Sequence, residues 1–365
     1  MRETINTKRS TCKALLIAML FCSILNQIGI CSPSLEASVT KSSFEKVALI
    51  GNCQLHIWDD SKTAATSNIF CIHGLGLSAI DFDKFANYAA SQGLRTFALS
   101  IHGFGSASER KPGDNVDFEA ALKEIREALA YIHKLHPGEP VFLLGESLGG
   151  SIAIDAASRF PEEFSGLICS TPTWRFNGEG TVNLKALFCL IFGRWSRRMF
   201  ISEPIVRRAS SDPDLQNHWL HHPDHHIDLS IKEALGTYRY ISKTPARARQ
   251  IRKLPVLFVQ GLNDRLTKLN SVAYLFSLLP TENKKLVLDC NQEHVIFEEG
   301  RFSKESFNAL LAWINSEVSP VQMKQTHFPD GRLLIDGTVE EKEKRIIDRL
   351  FKTAGLNLKF TDFSN

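Results

Sequence analysis

Short apolar stretches alternate with amphipathic ones along most of the chain. Residues 68–72 and 140–144 are continuously apolar, as in strands buried on both faces, whereas residues 116–135 repeat apolar positions at helical spacing. The predicted strands are residues 47–50, 55–58, 68–72, 95–101, 140–144, 166–170, 254–260 and 285–289, and the predicted helices are residues 82–92, 116–135, 148–160, 272–279 and 302–317. This alternation predicts βαβ units and a mostly parallel sheet with helices on both faces.

The alternation is interrupted between residues 172 and 253, which are rich in Trp, Phe, Leu and Arg and show no strand pattern. We predict that this segment is a helical cap inserted after the sixth strand of an α/β domain spanning residues 45–318. Residues 319–365 form a C-terminal extension, with a predicted turn at 329–331 and a helix near 339–352. We expect that helix to pack on the domain, with docking of a partner as the alternative.

The first residues have the pattern of a targeting signal. Four Lys and Arg residues within residues 2–13 precede an apolar run at 14–25, which is shorter than the roughly 20 residues that span a bilayer. We predict that residues 1–37 are a signal peptide or an N-terminal anchor and that the protein is exported or membrane-associated. Three of the eight cysteines lie in this segment, and the odd number that remains gives no disulfide framework.

Composition narrows the class of protein. The chain has 365 residues, of which 43% are hydrophobic and 23% charged, and its net charge is +3. It is too apolar to be disordered, and the charge balance gives no support for a nucleic-acid partner. A domain of this size needs no metal or disulfide for stability.

The strongest chemical signal is Gly-Glu-Ser-Leu-Gly-Gly at residues 145–150, between a buried strand and a helix. A nucleophilic serine needs its Oγ exposed on a tight strand-to-helix turn, and the flanking glycines permit that turn. The helix N-terminus directs N–H groups at developing negative charge. We therefore predict that Ser147 is a nucleophile; the alternative is an ordinary serine in a glycine-rich turn.

An upstream turn, His-Gly-Leu-Gly at residues 73–76, follows the strand at 68–72. Such a turn can offer the backbone N–H of Leu75 to an oxyanion, together with the N–H of Leu148. These two groups are the predicted oxyanion hole. His73 itself is interpreted as structural.

Two further residues follow the last predicted strands. Asp264 comes just after residues 254–260, and His294 follows residues 285–289. The order Ser147, Asp264, His294, each after a strand, is that of a serine hydrolase triad, with His294 as base and Asp264 orienting it. Asp289 and Glu293 are the competing acids.

These motifs, together with the loop at residues 100–106, resemble the α/β-hydrolases, and among them the branch of monoacylglycerol lipases and lysophospholipases. The resemblance covers roughly residues 45–317 and implies an eight-stranded sheet, a helical cap after strand 6, and ester hydrolysis without a cofactor. The cap sequence is diverged, and the extension beyond residue 318 has no counterpart in the family.

The cap is basic. Residues 172–253 carry 14 Lys and Arg against 7 Asp and Glu, and residues 184–200 mix Trp, Phe and Leu with Arg. That mixture suits an interfacial helix on an anionic lipid surface and equally a helix that packs on the sheet. Either way the cap can offer an apolar pocket for an acyl chain.

Five histidines lie within residues 218–226. No i, i+4 pair on a predicted helix with a matching carboxylate is evident, so we predict no metal and no cofactor, and interpret the stretch as a pH-sensitive patch. The predicted substrate is a small-molecule ester with an acyl chain.

The predicted activity is a serine ester hydrolase that acts through an acyl-enzyme on Ser147. Thioester or amide hydrolysis and acyl transfer on the same residues stay open, because a triad does not select the leaving group. A non-catalytic module that binds a hydrophobic ligand is the alternative of another class. Haloalkane dehalogenase or epoxide hydrolase chemistry is disfavoured because it uses an aspartate at the position of Ser147.

Overall fold

The computed structural model describes residues 45–51, 53–60, 65–105, 116–176 and 201–318, the strands at 333–336 and 360–362, and helical residues Arg345, Arg349 and Lys352. The predicted leader at 1–37, the apolar and basic run at 184–200 and the predicted turn at 329–331 lie outside the described residues.

One twisted sheet forms the centre of the domain. Its strands are β1 Glu45–Ile50, β2 Cys53–Trp58, β3 Ser67–Ile72, β4 Leu94–Leu99, β5 Val141–Glu146, β6 Gly166–Ser170, β7 Val256–Gly261, β8 Lys284–Asp289, β9 Leu333–Asp336 and β10 Phe360–Asp362. The spatial order is β1-β2-β4-β3-β5-β6-β7-β8-β9-β10. Pairing is antiparallel at β1/β2 and β2/β4 and parallel elsewhere. All eight predicted strands are present.

The described helices follow the predicted alternation. They are α1 Asp83–Ser91, α2 Phe118–Leu135, α3 Leu148–Arg159, α4 Ser202–Ala209, α5 Pro213–His221, α6 Ile231–Ile241, α7 Thr244–Ala248, α8 Leu269–Leu278 and α9 Lys304–Val318. Asp117 is the N-cap residue of α2, and its side chain accepts hydrogen bonds from the first-turn N–H groups. None of the described helices is long and apolar enough to span a bilayer.

The core has two layers, one on each face of the sheet. Successive side chains of β3 point to opposite faces, so Phe70 and Ile72 pack with α2, α3 and α8, whereas Ile69 and Cys71 pack with α1 and α9. Because both faces are covered, the central strands are apolar throughout, which is why their sequence shows continuous apolar runs.

Helices α4 to α7 lie between β6 and β7, where the sequence predicts a helical insertion. A third apolar cluster joins this region to the loops after the strands. Its buried members are Leu77, Val206, Ala209, Leu215, Trp219, Ile227, Leu266 and Val295. Val206 and Trp219 come from α4 and α5, whereas Leu77, Leu266 and Val295 come from strand-end loops. The cap therefore packs directly on the loops that carry the predicted site residues.

The C-terminal extension lengthens the sheet, which the sequence did not predict. β9 pairs with β8 in parallel from Leu286↔Leu333 to Asp289↔Asp336. β10 then pairs with β9. The extension thus covers the edge that β8 would otherwise present to solvent.

Candidate active site

Ser147 occupies a strained turn between β5 and α3. Its backbone has φ 55° and ψ −116°, outside the regions that L-residues usually adopt. A Cβ atom on Gly145 would collide with the carbonyl of Gly149, and one on Gly149 would collide with the carbonyl of Ile72. The glycines at both positions are therefore required by close backbone approach, as the motif predicts.

The three predicted triad residues lie in contact. His294 Nε2 is 2.7 Å from Ser147 Oγ, and His294 Nδ1 is 2.9 Å from Asp264 Oδ2. With the imidazole proton on Nδ1, the ring donates to Asp264 and accepts the hydroxyl proton of Ser147. The side chains of His294 and Asp264 are 3% and 1% exposed. This is the arrangement in which an imidazole can withdraw a proton from a serine.

The electrostatics of the pair favour its charged form. Burial disfavours the imidazolium, but the charge and hydrogen bond of Asp264, with a smaller contribution from Glu146, outweigh burial and raise the pKa of His294. Burial acts against the carboxylate of Asp264 as well, yet His294, Gln260 and the N–H of Thr267 lower its pKa. A proton that His294 takes from Ser147 is thus stabilised where it arrives.

Asp264 is oriented by its own loop. Its Oδ1 accepts hydrogen bonds from the N–H groups of Leu266 and Thr267, each at 2.8 Å. Gln260 Nε2 lies 3.0 Å from Oδ2. These bonds leave Oδ2 directed at His294.

The competing acids are engaged elsewhere. Asp289 accepts hydrogen bonds from the hydroxyl groups of Ser303 and Ser306. Glu293 accepts from the Ser211 N–H at 2.7 Å. Among the described residues, Asp264 is the carboxylate that contacts the His294 ring.

The predicted oxyanion turn lies against the nucleophile. A Cβ on Gly74 would be 3.4 Å from the Cβ of Ser147. His73 holds this turn, because its Nε2 accepts from the Ile101 N–H at 2.9 Å and its Nδ1 is 2.7 Å from Gly74 O. Within the described residues, the N–H groups of Leu75 and Leu148 donate to no acceptor of the chain. They remain available to an oxygen of a bound molecule.

Residues 63–301 match the family described as serine aminopeptidase, S33, over more than half of the chain. The chain belongs to this family. Its strand order and nucleophile turn are accordingly those of an α/β-hydrolase.

The relatives of this chain include proteins named as monoglyceride lipases. The chain is 29% identical to "Monoglyceride lipase" of Rattus norvegicus over 268 residues, which cover 72% of this chain and 85% of the rat protein. It is 24% identical to "Monoacylglycerol lipase" of Mycolicibacterium smegmatis, over 67% of this chain and 87% of that protein.

Solved structures resemble the same core. A monoglyceride lipase from Saccharomyces cerevisiae superposes with a TM-score of 0.61 at 17% identity, over 75% of this chain and 94% of the yeast chain. A monoacylglycerol lipase from Paleococcus ferrophilus gives a TM-score of 0.58 at 22% identity, over 73% of this chain and 99% of that chain. At these identities the likeness establishes the α/β-hydrolase fold.

Glu146 is a buried carboxylate that the sequence analysis does not single out. It joins the strand that precedes Ser147 to the loop that follows His294. Glu146 accepts hydrogen bonds from the backbone N–H groups of Ile296, Phe297 and Glu298 at 2.7–3.2 Å, and from the Ser170 hydroxyl at 2.5 Å. It therefore fixes the loop that follows His294 to the strand that carries Ser147. The sequence contains a signal for this role, because an acidic residue at the end of an otherwise apolar, buried strand needs buried hydrogen-bond donors.

Glu298 is a second buried acid outside the predicted set. Its Oε1 accepts the Gly74 N–H at 2.6 Å, so it supports the oxyanion turn. Burial raises the pKa of Glu298 well above its ordinary range, and the nearby charge of Glu146 raises it further. No motif marks this residue, because its contact joins positions 224 residues apart.

Two threonines after β6 complete the surroundings of the site. Thr171 has φ 44°, and its Oγ1 donates to the carbonyl of His294 at 2.9 Å. Thr173 Oγ1 lies 3.4 Å from Ser147 Oγ and 2.8 Å from Thr267 Oγ1. Their position directly after a parallel strand, at the edge where Ser147 lies, is the signal that could have identified them.

A cavity of about 770 Å³ is lined in part by Asp264. Its lining includes Asp212, Arg265 and Glu293 but not Ser147, so it is distinct from the space in front of the nucleophile.

Proposed function

We propose that the chain is a serine hydrolase that cleaves carboxylic esters of lipid-like, acyl-bearing small molecules through an acyl-enzyme on Ser147. The observation that carries the proposal is the continuous contact from Ser147 Oγ through His294 to Asp264. The relatives named as monoglyceride lipases support this substrate class.

In the proposed mechanism, His294 Nε2 accepts the hydroxyl proton as Ser147 Oγ attacks the ester carbonyl. The N–H groups of Leu75 and Leu148 bind the resulting oxyanion, and each such donor is worth about 3 kcal/mol. His294 then protonates the departing alcohol, which leaves the acyl group on Ser147. Water, deprotonated by His294, hydrolyses this ester and restores the enzyme.

The cap supports a substrate with an acyl chain. Val206, Leu215 and Trp219 present a buried apolar cluster to the loops that carry the triad. Apolar side chains beside a few polar groups are the usual surroundings of a site for a hydrophobic ligand.

The test is hydrolysis of p-nitrophenyl esters from acetate to palmitate by the wild type, Ser147→Ala and Ser158→Ala. We expect Ser147→Ala to lower kcat by roughly 10⁴- to 10⁶-fold, because the nucleophile is lost. Ser158→Ala is the matched control, since Ser158 lies on the same helix and its hydroxyl donates to the Asp155 carbonyl. Equal activity of wild type and Ser147→Ala on every ester would contradict the proposal.

The preferred chain length in that series measures the acyl pocket, and a monoacylglycerol series measures the head group. If short activated esters react and long-chain esters do not, the lipid part of the proposal is wrong while the hydrolase part stands. Labelling of Ser147 by a fluorophosphonate without turnover of any ester would direct attention to thioester, amide or acyl-transfer substrates.

We also propose that residues 1–37 direct the protein to export or anchor it to a membrane, from their basic and apolar pattern. The test is fractionation of cells that produce the full chain, with N-terminal sequencing of the product. Recovery of an intact N-terminus in the cytosolic fraction would contradict it.

The excess of Lys and Arg in residues 172–253 supports a further proposal, contact of the cap with an anionic lipid surface. We expect the protein to cosediment with anionic vesicles more than with neutral ones, and to be released by salt. Equal binding to both kinds of vesicle would exclude this contact.

A further inference from the structure

Histidines of the cap meet a carboxylate from the domain beside the active site. Asp81, His218 and His225 each present one potential ligand atom, and the three atoms lie within 4.8 Å of one another. The shortest of these approaches joins His225 Nε2 to Asp81 Oδ1 at 3.0 Å. Asp81 lies on a 3₁₀ turn at Ala79–Phe82, and the histidines lie on α5 and in the loop that follows it.

Two more donors adjoin these three. The His222 ring lies 4.8 Å from that of His218 and 4.7 Å from that of His225. Glu299 Oε1 lies 3.7 Å from His218 Nε2. The cluster thus brings two carboxylates and three imidazoles together, with Lys84 as a cation at 3.8 Å from the other oxygen of Glu299.

Hydrogen bonds from neighbouring groups fix the orientation of the two carboxylates. Asp81 Oδ2 accepts from the N–H and hydroxyl of Ser78 at 2.6 and 3.0 Å, so Oδ1 faces the histidines. Glu299 Oε1 accepts from Trp219 Nε1 at 3.0 Å. Such supporting hydrogen bonds are what fix metal ligands in place.

The His225 ring is held in one orientation inside the cluster. Its side chain is 1% exposed, its Nε2 lies 3.0 Å from Asp81 Oδ1, and the backbone of Trp219 is a further hydrogen-bond partner of the ring. A buried imidazole that is already oriented beside a carboxylate needs little reorganisation to bind a cation.

From the sequence we predict no metal, because no i, i+4 histidine pair with a matching carboxylate is evident on a predicted helix. The structure contains both. His218 lies on α5 and His222 is its C-cap residue, so an i, i+4 pair is present. The matching carboxylate, Asp81, precedes His225 by 144 residues and could not be read from local spacing.

We propose that Asp81, His218 and His225 bind a divalent transition-metal cation, with Zn²⁺ as the best fit and Glu299 or His222 as the fourth ligand. Imidazole nitrogen and carboxylate oxygen are the donors that Zn²⁺ takes. In a tetrahedral site, ligand atoms at about 2.0–2.1 Å from the ion lie about 3.3 Å apart, so shifts of about 1 Å close the cluster. The half-exposed His218 leaves a path for the ion.

The site would join the cap to the oxyanion turn. The His226 N–H donates to Gly76 O at 2.8 Å, and a Cβ on Gly76 would collide with Ile227. A cation held by His225 and Asp81 fixes the segment next to this contact. Bound zinc therefore stabilises the cap in place, independently of which ester the enzyme cleaves.

The test is a zinc titration of the full chain after removal of metal by a chelator, followed by competition with a chromophoric chelator. We expect one Zn²⁺ per chain, an increase in Tm on binding, and the visible absorption of a tetrahedral ion when Co²⁺ replaces zinc. His218→Ala is expected to weaken binding by at least about 100-fold.

His221→Ala is the matched control, because His221 lies on the same helix and its ring contacts the Asn217 carbonyl instead. Asp81→Asn tests the carboxylate, with its circular dichroism spectrum checking that it folds. Tight stoichiometric binding that is lost in His218→Ala and Asp81→Asn and kept in His221→Ala supports the site. Equal affinity in all variants, or no stoichiometric binding by the wild type, overturns it.

Discussion

At the scale of single residues, backbone strain is concentrated around the site. Among the described residues, Ser147, Thr171 and Glu299 are the non-glycine residues with positive φ. Ser147 is the proposed nucleophile, Thr171 binds the His294 carbonyl, and Glu299 belongs to the histidine cluster. Each such conformation costs on the order of 1–3 kcal/mol, so packing elsewhere must compensate for it.

The Asp264→Asn variant tests the proposed orienting residue. The neutral form of His294 is the base, so kcat/KM falls as pH drops through the pKa of His294, which Asp264 holds above its ordinary value of 6.5. We expect kcat to fall about 10⁴-fold, and the acid limb of the pH profile to move to lower pH because the stabilising charge is gone. An unmoved limb would show that Asp264 does not act on this histidine.

Glu298 and Glu146 are predicted to differ in tolerance to the same substitution. Burial and the nearby Glu146 raise the pKa of Glu298 and so favour its neutral form, which a glutamine resembles, and Glu298→Gln keeps an acceptor for the Gly74 N–H. We expect near-normal kcat/KM for Glu298→Gln and a lower kcat/KM for Glu298→Ala.

Glu146→Gln replaces an oxygen that accepts hydrogen bonds from backbone N–H groups. We therefore expect this variant to have a lower free energy of unfolding, measured by denaturant unfolding.

At the scale of elements, the junction of β5 and α3 is sterically restricted. α3 starts so close to β3 that a methyl group at position 149 would overlap with the carbonyl oxygen of Ile72. This closeness is what sets the N-terminus of α3 against the nucleophile turn.

Gly149→Ala is therefore expected to destabilise the protein by about 3 kcal/mol, measured by denaturant unfolding. Gly236→Ala is the control, because position 236 lies inside α6 and a Cβ there meets nothing within 4 Å. That variant should gain about 0.5–1 kcal/mol from helix propensity. If both variants have wild-type stability, the close approach of α3 to β3 is wrong.

The sequence predicted elements whose signal is local. Strands β3, β5, β6 and β7 could be read because burial on both faces leaves continuous apolar runs, and Ser147, Asp264 and His294 could be placed because each follows the end of a strand. β9 and β10 span only Leu333–Asp336 and Phe360–Asp362, too short for a periodic pattern. Glu298 lacks a motif, since its role depends on a contact between segments 224 residues apart.

At the scale of the whole molecule, the C-terminal extension completes one edge of the sheet. β9 covers Leu286 to Asp289 of β8 with parallel backbone pairing. An uncovered strand of this kind is a template for pairing with another chain.

A chain that ends at Val318 is therefore expected to have a lower Tm than the full chain and to aggregate on concentration, as measured by light scattering. Its initial activity per folded molecule should be preserved, because the triad and its supporting residues precede the truncation. Unchanged Tm and monodispersity would show that the edge of β8 needs no cover.

The bonds between Glu146 and the N–H groups of residues 296–298 also determine when a newly made chain can first react. They join positions about 150 residues apart, and the base lies 147 residues after the nucleophile. A ribosome-bound chain that has exposed Ser147 still lacks His294 and the donors that position it. The chain therefore stays unreactive toward esters through most of its synthesis, and gains its base only when the segment after β8 folds onto the strand that precedes Ser147.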